Sequence, residues 1–140
     1  MTTTRPSFKD IFKEFLLLLK ERSTCSTTHQ AALLIKDNRI LSIGYNGSPE
    51  GSAHCENPCK KDSNGSCYKS IHAETNCIGY AARNGIYTEN SDLYITQSPC
   101  LSCAKLIVAS GIKKVFYIEE YRIAEGKEYL EEMGIVLEKL

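Results

Sequence analysis

The apolar residues of this chain change their spacing several times, and each change marks a different predicted element. Between residues 7 and 22 they recur three or four positions apart, from Phe8 to Leu19, which is the spacing of one buried helix face. Ser7 precedes this stretch and Asp10 lies in its first turn, a pattern typical of a helix N-terminus. We therefore predict a first helix over residues 7–22.

Two β-rich runs follow, Ala31–Lys36 and Arg39–Tyr45, and only Asp37-Asn38 separates them. A two-residue separation of this kind is typical of a hairpin, so the sheet should open with an antiparallel pair. Helical and strand patterns then alternate. Predicted helices cover residues 72–84, 99–110 and 124–133, and predicted strands cover residues 92–97, 115–119 and 135–137. This order predicts a single domain over residues 1–140, a three-layer α/β/α sandwich with a mixed five-stranded sheet.

The net charge and the hydropathy of the chain indicate which kinds of partner it binds. The formal net charge is +0 at pH 7, whereas a protein that tracks a polynucleotide usually carries a basic stripe. A small-molecule substrate is therefore favoured over a polynucleotide. The apolar run at residues 15–19 is too short to span a bilayer, and we see no signal peptide. We expect no membrane partner and a cytoplasmic location, in the host cytoplasm if the gene is carried by a phage.

Two short motifs, His72-Ala73-Glu74 and Pro99-Cys100-Leu101-Ser102-Cys103, carry the candidate chemistry. One histidine and two cysteines are the usual ligands of a catalytic zinc that leaves its fourth position open to water. H-x-E followed by P-C-x-x-C is the signature of zinc deaminases that act on nucleobases, with the glutamate as the acid and base. We assign His72, Cys100 and Cys103 as zinc ligands and Glu74 as the catalytic residue. We also expect Ser98 to cap the helix that starts at Pro99.

The chain contains seven cysteines, more than the first site requires. Cys77 lies in an apolar helical pattern and is expected in the core. Four others remain: Cys25, Cys55, Cys59 and Cys67. In a reducing compartment four thiols suggest a second, closed, structural zinc, with His54 as a substitute ligand. It would pin the long polar loop over residues 46–70. The alternative is a set of buried and free thiols without a metal.

Five segments spread along the chain are similar to those of one known family. They are residues 44–51, 71–76, 81–85, 98–105 and 111–115. Together they resemble the deoxycytidylate (dCMP) deaminases of the cytidine deaminase-like superfamily, and the first is not shared by deaminases of free cytidine. The resemblance implies zinc-dependent hydrolysis of dCMP to dUMP and ammonia, supplying dUMP for thymidylate synthesis. It also places Cys25 and Cys55 at positions that bind a second zinc in some phage members.

The same resemblance implies roles for residues around the substrate. Asn46 would contact the deoxyribose, and the backbone of Ala73 would help to hold the base. Tyr121 and Arg122 match positions beside the substrate, with Ser23 assisting. A guanidinium suits a 5′-phosphate, although Arg122 also fits a solvated arginine at a strand end. Where the family often carries basic residues after Cys25, this chain has Thr27, Thr28 and His29, so Arg122 would carry more of the phosphate binding.

The resemblance further implies a homo-oligomer, typically a hexamer, that dCTP activates and dTTP inhibits, each with Mg²⁺. The implied effector site consists of Gly44, Tyr45, Asn46, Gly47, Tyr80 and Arg83. A glycine-rich loop can bring backbone N–H groups to phosphates, but the same residues also suit an ordinary turn. Arg83 could equally contact another subunit.

Two alternatives to dCMP deamination stay open on the sequence. One is another zinc deaminase, acting on free cytidine, on tRNA adenosine or on single-stranded DNA. The other is a non-enzymatic, zinc-stabilised binding module. Glu74 argues for an enzyme and against the binding module, because a purely structural zinc would leave this glutamate without a role.

Overall fold

A computed structural model describes residues 4–140, so the first three residues of the predicted domain lie outside the described chain. The helices are α1 (Phe8–Leu19), α2 (Ala73–Arg83), α3 (Leu101–Ala109) and α4 (Glu125–Glu132). The strands are β1 (Ala31–Lys36), β2 (Arg39–Tyr45), β3 (Asp92–Gln97), β4 (Lys114–Glu119) and β5 (Val136–Lys139). They form one five-stranded sheet in the order β2-β1-β3-β4-β5. β1 is antiparallel to β2 and β3, and β3, β4 and β5 are parallel, so the predicted mixed sheet is confirmed.

Helices cover both faces of this sheet. Phe12 and Leu16 of α1 pack with alternate residues of β1, such as Leu33, on one face. The intervening residues of β1, such as Leu34, pack on the other face in a cluster that also includes residues of α2, α3 and α4. Because both faces are buried, the central strands are almost continuously apolar rather than alternating. This arrangement confirms the predicted three-layer sandwich.

The turn and the cap predicted from the sequence are both present. Asp37 and Asn38 adopt φ values of 50° and 59°, the left-handed conformation that a two-residue hairpin turn requires. The Ser7 hydroxyl accepts a hydrogen bond from the Asp10 backbone N–H at 3.1 Å and so caps α1. The helix ends earlier than predicted, since residues 20–22 tighten into a 3₁₀ turn.

The predicted start of α3 is wrong by two residues. Cys100, not Ser98, occupies the N-cap position, with extended φ and ψ of −70° and 170°. Ser98 is used elsewhere, because its hydroxyl accepts from the Tyr121 backbone N–H at 2.7 Å and its own N–H donates to the Glu119 carbonyl at 2.8 Å. His72 likewise occupies the N-cap position of α2 rather than belonging to its first turn, and its side chain makes no capping hydrogen bond.

The segment between β2 and α2 is irregular but tied together. Within the described chain it contains no helix or strand after Tyr45, only two isolated bridges, Gly47 with Ile71 and Lys61 with Cys67. The Asp62 carboxylate accepts backbone hydrogen bonds from two residues of its own turn. The described chain also lacks a helix long and apolar enough to cross a bilayer.

Candidate active site

His72, Cys100 and Cys103 converge although about 30 residues of sequence separate the histidine from the cysteines. His72 Nδ1 lies 3.2 Å from Cys103 Sγ and 3.6 Å from Cys100 Sγ. All three ligand atoms lie within 4.8 Å of one another. Nitrogen and sulfur ligands of one tetrahedral zinc are about 3.5 Å apart, given bond lengths of about 2.0–2.3 Å. The three side chains therefore fit the zinc site predicted from the sequence.

Two helix N-termini hold this cluster. His72 occupies the N-cap position of α2, Cys100 that of α3, and Cys103 lies in the first turn of α3. The backbone N–H groups at a helix start carry partial positive charge, which favours a nearby thiolate. A hydrogen bond with the Cys103 thiol and, to a smaller extent, one with the His72 ring lower the pKa of Cys100 to about 4, although burial opposes the shift. A thiol with so low a pKa is a thiolate at neutral pH, which is the form in which cysteine binds a metal.

Glu74 lies in the first turn of α2 and is only 7% exposed. Burial raises the pKa of its carboxyl above the ordinary value, while a hydrogen bond with Cys103 acts in the opposite direction. A carboxyl group with a raised pKa can both accept and return a proton near neutral pH. Its position beside the ligand cluster suits the catalytic role predicted for it.

A cavity of about 210 Å³ opens beside the cluster. It is lined by Thr28, Gln30, Asn46, His72, Ala73, Glu74, Gln97, Ser98, Cys100 and Tyr121. Of the five substrate-binding residues predicted from the sequence, Asn46, Ala73 and Tyr121 line this cavity, whereas Ser23 and Arg122 do not. Among the described residues no lysine or arginine lines it, so the cavity wall itself offers no cationic side chain to a phosphate.

The Asn46 side chain is fixed at both ends. Its Oδ1 accepts from the Gln30 backbone N–H at 2.7 Å, and its Nδ2 donates to the Thr28 carbonyl at 2.8 Å. Ser23 binds the backbone of the same residue, since its hydroxyl donates a hydrogen bond to the Asn46 carbonyl at 2.8 Å. Ser23 therefore holds the loop that presents Asn46. Arg122 is exposed and follows Tyr121 directly at the edge of the cavity lining.

Sequence reasoning missed four of the residues that line the cavity: Thr28, Gln30, Gln97 and Ser98. Their common position follows from the sheet. Because β1 and β3 are antiparallel neighbours, the residues before β1 lie at the same edge as the residues that end β3. A prediction of that strand pairing, rather than any motif, would have identified Gln30 and Gln97.

A second cluster consists of Cys55, Cys59 and Cys67, which we call the loop cluster. Its Sγ atoms are 3.3 Å (Cys55 to Cys59), 3.1 Å (Cys59 to Cys67) and 3.6 Å (Cys55 to Cys67) apart. Three sulfurs bound to one zinc at about 2.3 Å would lie about 3.8 Å apart, which is close to this arrangement. Among the described residues Cys25 and His54 are not members of the group that lies within 4.8 Å. Cys25 is buried, with its Sγ 3.3 Å from the Thr27 hydroxyl, and its role as fourth ligand stays a prediction.

The predicted effector residues are distributed between the end of β2 and the outer surface of α2. Tyr80 is 48% exposed, and Arg83 Nη1 lies 3.2 Å from Glu50 Oε2. The backbone N–H of Asn46 donates to the Gln30 carbonyl, and that of Gly47 donates to the Ile71 carbonyl. These two amides are therefore already used within the chain.

Comparisons with known proteins agree with this geometry. Residues 7–119 match the family model described as the cytidine and deoxycytidylate deaminase zinc-binding region. ComE operon protein 2 of Bacillus subtilis is 34% identical over 137 residues, covering 97% of this chain and 72% of the relative. The deoxycytidylate deaminase of Mycobacterium phage D29 is 34% identical over 129 residues, covering 84% and 98%. A crystal structure of the dCMP deaminase from cyanophage S-TIM5, in complex with dCMP and dUMP, superposes with a TM-score of 0.85 at 33% identity, covering 99% and 100%. On its sequence, its fold and its ligand cluster, the chain belongs to the cytidine and deoxycytidylate deaminase family with a zinc-binding region.

Proposed function

We propose that this protein hydrolyses dCMP to dUMP and ammonia. The observation that carries the proposal is the buried carboxyl of Glu74, which lines the same cavity as His72 and Cys100 of the ligand cluster, a cavity large enough for a pyrimidine ring. The names of the phage D29 relative and of the S-TIM5 structure support dCMP as the substrate.

The chemistry that Glu74 would perform is a proton relay. His72, Cys100 and Cys103 would hold zinc, which when bound acts as a Lewis acid and lowers the pKa of water towards neutrality. Glu74 accepts a proton as water adds to C4 of the cytosine ring, and it delivers that proton to N3. It then transfers the remaining hydroxyl proton to the exocyclic amine. The C4–N4 bond breaks, ammonia leaves, and a carbonyl group remains at C4.

Recognition of the nucleotide would be divided between the cavity and its edge. The fixed Asn46 amide would contact the deoxyribose, and the Ala73 backbone and Tyr121, which also line the cavity, would bound the space for the base. Because the cavity lining carries no lysine or arginine among the described residues, the 5′-phosphate needs a cation from outside it. Arg122 is the proposed cation, since it adjoins Tyr121 and its guanidinium is exposed.

A panel of substrates tests this proposal. Ammonia release is measured from dCMP, deoxycytidine, cytidine, dCTP and a cytosine-containing oligonucleotide under identical conditions. We expect dCMP to give the highest kcat/KM. Faster turnover of cytidine or of the oligonucleotide would replace dCMP deamination by one of the other deaminase activities.

We also propose that the loop cluster holds a second, structural zinc, with Cys25 as the fourth ligand. The support is the spacing of its three sulfur atoms and the absence of regular structure in the surrounding loop of the described chain. A metal at this point replaces the hydrophobic core that such a loop cannot form for itself.

Regulation is proposed on the family resemblance: a hexamer that supplies dUMP for thymidylate synthesis, activated by dCTP and inhibited by dTTP with Mg²⁺. Because the amides of Asn46 and Gly47 are hydrogen-bonded within the chain, an effector phosphate would depend on side chains, above all on Arg83 released from Glu50. A dCMP saturation curve with and without dCTP, dTTP and Mg²⁺ tests this. We expect dCTP to convert a sigmoidal curve into a hyperbolic one; a hyperbolic curve that neither nucleotide changes would refute regulation.

A further inference from the structure

Two glycines lie where neighbouring elements touch the backbone next to the metal ligands. Gly126, near the start of α4, contacts the chain just before α3: a Cβ atom placed on it would collide with the Pro99 carbonyl oxygen and lie 2.9 Å from the Cys100 carbonyl carbon. Gly44, in β2, contacts the first turns of α2. A Cβ there would lie 2.6 Å from the Ala73 carbonyl oxygen and 2.5 Å from the Cys77 backbone nitrogen.

Backbone strain does not account for glycine at either position. Neither Gly44 nor Gly126 has a positive φ, so an alanine could adopt both conformations. Gly126 is even a helical position, where alanine has the higher intrinsic propensity. What requires glycine is the close approach itself, because the atoms that a Cβ would meet belong to the backbone and cannot rotate away as a side chain could.

The two contacts lie on opposite halves of the ligand cluster. Gly44 fixes the turn that follows His72, and hydrogen bonds on either side of it join β2 to α2: the Ser42 hydroxyl donates to the Cys77 carbonyl, and the Asn76 amide donates to the Tyr45 carbonyl, both at 2.8 Å. Gly126 fixes the chain at Cys100. Direct backbone contacts, with β2 at Gly44 and with α4 at Gly126, therefore limit the distance between His72 and Cys100.

We infer that Gly44 and Gly126 are positioning residues of the metal site, which set the separation of His72 from Cys100 by allowing β2 and α4 into backbone contact with the ligand-bearing segments. The inference rests on the zinc site of the proposed function but not on the identity of the substrate. Residues that orient metal ligands typically change metal affinity by about 10–100-fold when they are replaced, and we expect this range for alanine at either glycine.

The test compares Gly126→Ala and Gly44→Ala with Gly79→Ala. Gly79 lies on the exposed surface of α2, and a Cβ there meets no heavy atom of the described chain within 4 Å beyond the helix's own backbone, so it is a matched control. Zinc is titrated against a chelator while the ring signals of His72 are followed by NMR. His29, which belongs to neither ligand cluster, serves as the internal reference. We expect weaker zinc binding at His72 in the two test variants and wild-type binding in Gly79→Ala.

Each result decides the inference without reference to turnover. Unchanged zinc affinity at His72 in both Gly126→Ala and Gly44→Ala would overturn it. Loss of the far-ultraviolet circular dichroism of the metal-free variants would also overturn it, because the contacts would then serve the fold as a whole. Weaker zinc binding in folded variants would support it even if the wild-type protein released no ammonia from dCMP, an outcome that would refute only the proposed function.

Discussion

The His72 cluster and the loop cluster each gather three ligand atoms within 4.8 Å, but their surroundings differ. The first cluster lies at the starts of two helices that pack on a five-stranded sheet, beside a buried carboxyl and a cavity. The second lies on an irregular loop, and its three cysteines do not line that cavity. Ligand geometry alone therefore does not distinguish a catalytic from a structural site. What distinguishes the first cluster is the buried carboxyl of Glu74 beside it and the cavity that offers space for a substrate.

The pKa values of the thiols, like the distances between the ligand atoms, do not distinguish the two clusters. Hydrogen bonding with Cys59 lowers the pKa of Cys67 to about 6, and hydrogen bonding within the first cluster lowers that of Cys100 to about 4. Each cluster thus provides a thiolate at neutral pH, which is what zinc requires. Among the described residues, only the first cluster has beside it a carboxyl whose pKa burial raises, that of Glu74.

The largest effect should follow from removing a ligand of the first cluster. Cys100→Ser should abolish turnover and lower the zinc content by one equivalent, because a neutral hydroxyl replaces a thiolate. Metal analysis and ammonia release check both. Cys77→Ala is the control, since Cys77 is buried in the core and not a member of either cluster; it should keep its zinc and its activity. A fully active Cys100→Ser protein would contradict the assignment.

The same change in the loop cluster should act on stability rather than on chemistry. Cys59→Ser should lower the free energy of unfolding by about 4 kcal/mol, at the upper end for a single substitution, because loss of a metal site is among the causes of such large values. Zinc content should fall by one equivalent, while kcat of the folded protein stays near the wild-type value. Denaturant unfolding and initial rates separate the two effects. One zinc per chain in fully active wild-type protein would rule out the second metal.

A smaller effect is expected at Cys25, which should complete the loop cluster in preference to His54. Cys25→Ser should weaken zinc binding at that cluster by less than Cys59→Ser, because Cys25 lies outside the group already assembled. His54→Gln should change nothing. The comparison is made by zinc competition on the three variants. Equal losses for Cys25→Ser and His54→Gln, or none for Cys25→Ser, would remove Cys25 from the site.

The smallest effect concerns the phosphate. Arg122→Ala should lower kcat/KM for dCMP about tenfold or more, the value of a hydrogen bond to a charged group, and leave deoxycytidine turnover unchanged. Arg39→Ala is the control, because Arg39 is also exposed but lies at the far end of β2 from Asn46. If both substrates are affected equally, Arg122 does not bind the phosphate.

The contrast between the clusters also shows what the sequence could predict. Local patterns were sufficient for the hairpin, the order of elements and the H-x-E and P-C-x-x-C motifs, because each depends on residues close together in the chain. The N-cap position of Cys100 was missed because Ser98, the better capping residue, is bound to the Tyr121 backbone by a contact that only the fold creates. Gln30 and Gln97 were missed for a similar reason, since they meet only through the pairing of β1 with β3.

The most direct test of the central claim is the rate of ammonia release from dCMP by Glu74→Gln, with zinc measured in the same samples. Glutamine keeps the shape of the buried side chain but cannot carry the proton. We predict wild-type zinc content and a kcat lower by about 10²–10⁴-fold, the usual contribution of general acid–base catalysis. Wild-type turnover in a fully zinc-loaded Glu74→Gln protein would contradict the account.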